Sequence, residues 1–528
     1  MRRKIFLRII IGIAAIVFIV ILLTKVLVEP WMGKKILSSL NNNSGDYLLK
    51  IEKVHVSMLQ SGIELDNITL LSKPEQEGQA DLAGEIESVK FKGIHLIKAF
   101  FRKDIDIREV VFFNSRLTGK VAFPKKAKPV KVSPLNIRIK NLIFDKLLVD
   151  IKSTTTSQAY SIKDGVLKLD DINVEKEDTI SPDSFGQFDF DAIELKTVTT
   201  DSLYTISVVG INYSTTSNIL TVSKYVVQPN YTEYGFSSRN KYQEGRIEAD
   251  LSGITLHDFS VANYIKSRNL ISSYIEIGNM ELNVFRDKRK EFRHVKRPTF
   301  QDMIYNYPGT INIDSIGILN GNIVYTEHAE EASEKGSISF DEINATIYKI
   351  TNDTIYKTEK AYLRLNATAL LMGKSKISVL LKARIFDSQN TFSVNGTLSE
   401  MEVSELNPFL EKNVFITISS GKMKAMNFSF SANNTKASGN VKLLYQGLNL
   451  TVINKQTGGT TAIKEQIKSA IANIIVMKSN PMPGKEVRPG IIEFDRDPER
   501  FLFNYCFKAI MSGIKSSLGV NPNGKRKS

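Results

Sequence analysis

Residues 47–70 read YLLKIEKVHVSMLQSGIELDNITL. An apolar residue stands at nearly every second position, the pattern stops at Gln60, Ser61 and Gly62, and alternation then resumes. A period of two marks a strand with one face toward a core, and Gln-Ser-Gly between two such runs reads as a turn, so the segment predicts a strand pair. The pattern recurs in LNIRIKNLIFDKLLVDI (135–151), SYIEIGNMELNVF (273–285), GTINIDSIGILNGNIVY (309–325), AYLRLNATALL (361–371), KISVLLKARIFD (376–387), TFSVNGTLSE (391–400) and NVFITISSGKMKAMNFSFSA (413–432). Gly, Asn and Asp punctuate these runs at the intervals of a meander, which predicts a mainly β protein with an extended antiparallel sheet.

The chain also echoes itself. Residues 135–150 and 311–326 share a layout of strand, break and second strand, and each is followed by a polar loop and a third strand. In those third strands Leu169–Asn173 (LDDIN) matches Phe340–Asn344 (FDEIN). Repetition at this scale predicts stacked β units whose neighbours cover each other's apolar faces.

Composition limits the chemistry. The 528 residues carry a net charge of +14, with one cysteine (Cys506), one tryptophan (Trp31) and five histidines far apart in sequence. One cysteine allows no disulfide within the chain, and no CxxC or HExxH spacing is present to hold a metal. GxSxG, GxGxxG and Walker loops are absent, and TGGTTAIK (457–464) has only a general likeness to an anion-binding helix start. The reading is a protein that is not an enzyme and needs no cofactor, although a carboxylate pair for glycan hydrolysis could still form from acids such as those in FDFDAIEL (188–195).

The first thirty residues point to a membrane. Arg2, Arg3, Lys4 and Arg8 precede the unbroken apolar run Ile9–Leu23, and residues 5–28 together are long enough to cross a bilayer if Arg8 and Lys25 reach back to its surfaces. No small-x-small cleavage site follows, so a retained anchor is favoured over a cleaved leader. The basic N-terminal flank favours a cytoplasmic N-terminus, with the bulk of the chain outside the cytoplasm. GKKILSSLNNN (33–43) then reads as a short helix.

Two amphipathic helices are expected at the other end. Ala462–Met477 carries Ile463, Ile467, Ala470, Ile471 and Ile474 on one stripe; Pro498–Leu518 carries Phe503, Phe507, Ile510, Ile514 and Leu518 on another. Either stripe can cap the sheet or lie on a membrane surface, the second being followed by the basic GKRKS. The basic stretches 286–297 and 120–131 read as solvated loops or as contacts for anionic head groups. Nucleic acid is not expected as a partner, because no aromatic-rich motif accompanies the charge.

The opening ILSSLNNNSGDYLLKIEKVHVSMLQSGIELDNITL (36–70) resembles that of AsmA-like proteins, in which an anchor leads to a short helix, a strand pair and an x-L-x-N-I-x-L strand. Residues 392–452 are similar to that family's C-terminal region, and FRDKRKEFRHVKRP with NGNIVYTEHAEEASEKGSISFDEINATI looks like its large Bacteroidetes-type members. The resemblance implies kinship with bridge-like lipid transfer proteins: an inner-membrane anchor, bulk in the periplasm, and a curled sheet along whose apolar groove phospholipid acyl chains pass, with the outer membrane or other envelope proteins as further partners. It carries over no catalytic residue.

These readings divide the chain into an anchor (1–30), an N-terminal helix and β region (31–130), a central repeated β region (131–360), a C-terminal β region (361–455) and C-terminal amphipathic helices with a basic tail (456–528). Strand alternation offers Leu363, Leu365, Ile377, Val379, Leu381 and Ile385 as groove-lining residues, and Phe503, Phe507, Ile510, Ile514 and Leu518 as membrane contacts. The expected function is phospholipid transport between membranes or outer-membrane homeostasis. A non-transporting envelope scaffold is the alternative, and an anchored glycan hydrolase the third.

Overall fold

The structure, a computed structural model, describes residues 17–18, 20–42, 47–72, 81–94, 104–121, 136–154, 158–174, 186–357, 362–453 and 476–520. The protein is mainly β. It divides into two compact units, Met1–Val222 and Ser223–Ser528, so the boundary falls inside the central region expected at 131–360.

The first unit begins with a π-helical turn, Thr24–Val28, that runs into helix α1 (Glu29–Asn42). Strands β1 (Tyr47–Ser57), β2 (Gly62–Ser72), β3 (Asp81–Lys92), β4 (Asp104–Val121), β5 (Asn136–Ser153), β6 (Ala159–Val174), β7 (Gln187–Val198) and β8 (Tyr204–Ser214) follow, and β9 (Ile219–Pro229) crosses the boundary. The segment 47–70 forms the hairpin β1–β2. No helix among the described residues is long and apolar enough to cross a membrane; residues 1–16, most of the expected anchor, lie outside them.

The second unit contains α2 (Glu233–Arg239), β10 (Gly245–His257), α3 (Val261–Ser267), β11 (Leu270–Asp287), α4 (Phe300–Tyr305), β12 (Ile311–His328), β13 (Gly336–Thr351), β14 (Leu363–Leu371), β15 (Ser375–Ala383), β16 (Phe392–Leu398), β17 (Met401–Glu402), α5 (Asn407–Asn413), β18 (Ile416–Ala432), β19 (Lys436–Val452), β20 (Gly490–Asp495) and α6 (Leu502–Ser517). Helix α6 coincides with the second expected C-terminal helix; the first, at 462–477, lies almost wholly outside the described residues.

The sheet is not purely antiparallel. Strand β5 lies parallel to β4, and β12 parallel to β11. Parallel neighbours need a crossover rather than a tight turn, and the connections 122–135 and 288–310 are long enough to supply one. The four strands involved are each 18 residues long, and the strands that follow, β6 and β13, are each 16. The internal repeat is thus real at the level of strand order and pairing. Its third strand is set differently from the LDDIN/FDEIN match: the positive-φ residues of β6, Asp164 and Asp171, correspond in spacing to Glu342 and Lys349 of β13.

The strand pairs expected within 135–150 and 311–326 are single strands, with Lys146 (φ 56°) inside β5 and a register irregularity between Ile318 and Ile323 inside β12. At a residue with φ near +50° the strand continues with its facing shifted by one, and at Asn67 and Asn114 the register with both neighbouring strands stays unbroken. In β2 the inward residues are Ile63 and Leu65 before Asn67 (φ 51°), and Ile68 and Leu70 after it. Asn114 of β4 and Lys146 of β5 have the same conformation, so the polar residues that look like turn signals lie inside continuous strands, with a register irregularity beside Lys146. Ser-Gly at 420–421 is likewise an irregularity inside β18, with Gly421 at φ 142°.

Candidate functional site

Following the ladders of the first unit from strand to strand puts apolar side chains on a single face despite the shifts. The register aligns Val110, Leu142, Leu169 and Phe188 in one row and Phe112, Phe144, Leu167, Phe190 and Tyr213 in the next. Beyond the bulge, Leu147 and Val149 of β5 continue the same face against Gly165 and Ile162 of β6. Phe112 and Phe144 stack with centroids 4.6 Å apart, and Phe188 lies 5.0 Å from Tyr213. The opposite face carries charge: Lys168 faces Asp189, Lys163 faces Glu194, and Asp191 accepts a hydrogen bond from Asn212. The acids of FDFDAIEL are thus the polar face of β7.

Helix α1 covers the β1–β4 part of the apolar face. Its Met32 is buried with Ile51, Val56, Leu65 and Val110, Gly33 approaches the Val54 carbonyl, and the Glu29 carboxylate accepts the Met58 N–H at 2.8 Å. Over β5–β8 the situation differs. No helix among the described residues packs there, and Leu142, Phe144, Leu147, Leu167, Leu169 and Phe190 are only half-buried. On the same face Ala192, Ile211 and Tyr213 of β7 and β8 are buried; a sheet normally covers its apolar face with a second layer, and among the described residues that layer is incomplete over Leu142, Phe144, Leu147, Leu167, Leu169 and Phe190.

In the second unit the corresponding face is covered at its ends. Helix α4 inserts Phe300 and Ile304 against a buried cluster of Ile313, Ile350, Leu363 and Ile385. Helix α6 lies on β19 and β20: Ala509 is fully buried, Gly513 sits against Val441 and Ile492, and Tyr505 meets Phe392 edge to face. Burial pushes the Cys506 thiol and the Tyr505 hydroxyl each up to about 12. Of the expected groove residues, Leu363 and Ile385 are therefore core. Leu365, Ile377, Val379 and Leu381 share the same face but are half-buried, with Leu363↔Ala383, Leu365↔Leu381 and Ala369↔Ile377 as cross-strand partners.

A shallow depression of ≈ 570 Å³ runs across β12–β16. Its rims are Gly317, Thr346, Asn366, Leu380 and Asn395 on one side and Leu319, Asn344, Thr368, Ser378 and Thr397 on the other, all from the face opposite the apolar one. Ala345, Ala367, Val379 and Gly396 form only its floor. On the apolar side the Phe428 ring fills the space over Gly396, where an added Cβ would lie 2.1 Å from the ring.

The α6 stripe is divided. Ile510, Ile514 and Leu518 pack against the core under the helix, Phe507 is half-buried, and Phe503 is exposed with its ring 6.5 Å from that of Phe340. Among the described residues, three of the seven Lys and Arg residues of 286–297 are in ion pairs. Arg289 makes two bonds to Asp287 at 2.8 and 2.9 Å, Lys288 meets Glu327 at 2.6 Å, Arg293 meets Glu244 at 3.9 Å, and His294 meets Glu499 at 2.9 Å. Arg289, aided by the Ser237 hydroxyl, holds the Asp287 carboxyl down to about 2. The stretch 120–131 lies almost wholly outside the described residues, as does TGGTTAIK. Among the described residues no group of three or more His, Cys, Asp or Glu side chains is placed to hold a metal.

Sequence reading missed the open face of the first unit. Its signal was available in Phe112, Phe144, Phe188 and Phe190, but only the register between strands puts them on one face. No protein-family model matches the chain, and no curated protein matches it.

Proposed function

We propose that this chain is an AsmA-like lipid carrier of the bacterial envelope, held in the inner membrane through residues 5–28 with its β units in the periplasm. It shelters phospholipid acyl chains on its apolar faces as they move between membranes, or in the service of outer-membrane homeostasis. The observation that carries this reading is the half-buried apolar face of β5–β7, on which no helix packs among the described residues, backed by a charged outer face. Each acyl CH₂ removed from water there contributes about 0.8 kcal/mol, so a dry surface of this kind retains lipid without any specific polar contact. The sequence likeness to AsmA-like proteins points the same way. The scaffold reading draws on the second unit, where α4 and α6 close part of the face.

The test is a photo-crosslinking residue in place of Phe190, with Lys168 on the charged face as control, in the full chain expressed in its native membrane. Phospholipid attached at 190 and not at 168, identified by mass spectrometry, is the expected result. Absence of lipid from position 190 and from Leu169, in folded protein, overturns the carrier reading and leaves the scaffold.

A further inference from the structure

At the end of the second unit where β11, β12 and β14 begin and β13 and β15 finish, several connections lie side by side, and each exposes apolar side chains. Helix α3 presents Ile265, α4 presents Met303 and Tyr305, the turn after β13 presents Ile355, and Tyr362 precedes β14; these five are between 37% and 67% exposed. Large apolar residues clustered at loop tips need an explanation that scattered single ones do not.

Their setting narrows the explanation. Helix α4 is fixed from beneath, with Phe300 and Ile304 in the buried cluster, the Gln301 side chain fully buried and donating to the Asn390 carbonyl at 2.9 Å, and Thr299 and Asp302 forming a capping box. Met303 and Tyr305 are therefore held outward by a rigid base. Among the described residues, carboxylates of this end turn back into the protein: Asp258 binds the Ser273 hydroxyl, Asp302 accepts from the Thr299 N–H and the Asn390 amide, Asp353 accepts from the Ile355 N–H, and Asp387 accepts from the N–H groups of Gln389 and Thr391. Exposed basic side chains stand among the apolar tips at Arg268, Lys357 and Arg384. Arg268 lies over the Tyr264 ring and Arg384 over that of Tyr362. The opposite end of the same strands is different. Its turns expose Glu330, Glu331, Glu334, Lys335 and Lys374.

We infer that this rim docks on the surface of a phospholipid bilayer, with Ile265, Met303 and Ile355 entering the acyl boundary, Tyr305 and Tyr362 at head-group level, and Arg268, Lys357 and Arg384 against lipid phosphates. Separate tips on separate loops suit a fluid surface, into which each side chain inserts independently; a protein partner requires one contiguous desolvated patch. Tyrosine and arginine, each with an apolar body and a polar end, match the interfacial zone. The inference goes beyond acyl-chain binding on the sheet and can fail without it.

The test uses the full chain reconstituted in nanodiscs, in a Cys506→Ser background, with an environment-sensitive fluorophore on Ile355→Cys or, as control, on Lys374→Cys. Phosphatidylcholine–phosphatidylglycerol vesicles should shift the emission at 355 to the blue and leave that at 374 unchanged. The triple variant Ile265→Ser, Met303→Ser, Ile355→Ser, altered only at exposed positions, should melt as the parent does and capture roughly tenfold fewer vesicles. No shift at 355, an equal shift at 374, or undiminished capture by the folded variant overturns the rim. Lipid adducts at Phe190 are unaffected by any of these outcomes, so failure of the rim and failure of the carrier reading are distinguishable.

Discussion

Phe112 of β4 and Phe144 of β5 stack across a parallel ladder, 4.6 Å apart and 18° from coplanar. They stand where the part of the face covered by α1 meets the part that is not, Phe112 packed against the buried cluster of Met32 and Val110 and Phe144 half-buried, so the pair contributes through direct contact as well as through burial. A stacked pair is worth about 0.5–1.5 kcal/mol beyond its area. A double-mutant cycle of Phe112→Leu and Phe144→Leu, followed by urea unfolding, should return a coupling energy in that range. Coupling near zero would mean that the rings are held by the backbone and contribute only surface.

The shifts in facing are the second expectation. Inserting one residue after Lys146, which has φ 56° in β5, would carry Leu147, Val149 and Ile151 to the charged side while Ile139, Leu142 and Phe144 stay inward. Such a chain should fail to give a cooperative melt of the first unit. At Asn67 the contrast is finer. Asn67→Gly keeps the left-handed conformation and should change stability by a few tenths of a kcal/mol, whereas Asn67→Val places a β-branched residue there at a cost of about 1–2 kcal/mol. Equal melting temperatures for the two variants would remove the conformational argument.

These positions also show how far the sequence could be read. The apolar spacing of 47–70 was enough for the hairpin, and the alternation of 376–387 was enough to place Ile377, Val379 and Leu381 on one face. Asn67, Asn114 and Lys146 were not legible as positions inside continuous strands, because a polar residue in a strand looks the same whether it ends the strand or lets it continue; the choice depends on what pairs alongside. The parallel ladders were hidden for a related reason, since period-two alternation is the same for either direction and only the long connections 122–135 and 288–310 distinguish them. Closure of the face at Leu363 and Ile385 comes from α4, a six-residue helix too short to announce itself, and α4 also sets the outward position of Met303 and Tyr305.

Core and open face should separate under truncation. Leu363 and Ile385 are enclosed by Ile313, Ile350 and the α4 side chains, so Leu363→Ala or Ile385→Ala leaves a cavity costing about 2–5 kcal/mol. Leu365, two residues along the same strand and half-buried, should lose about 1 kcal/mol on the same change, because less area returns to water and no cavity closes over it. Chemical denaturation of the three variants checks the ranking. A Leu365→Ala cost equal to that of Leu363→Ala would place this part of the face in closed core and count against lipid there.

Acid should weaken the second unit through Asp287. Its side chain is buried beside Arg289 and Ser237, and its carboxyl is held at about 2, below the ordinary value of 3.8. The folded-state value is depressed, so the ionised form is favoured by folding. The resulting stability is fully present above the unfolded value, near 4, and is lost as pH falls through the folded value. A shift of this size corresponds to roughly 2 kcal/mol. Unfolding followed from neutral pH down to about pH 2 should show the parent losing that amount below about pH 4, after the contributions of other carboxylates are taken from the variant. Asp287→Asn should be less stable than the parent at neutral pH, because Arg289 loses its bidentate partner, and should lack this part of the acid loss. Parallel pH profiles for the two proteins would show that the Asp287–Arg289 pair contributes nothing to the stability of the second unit.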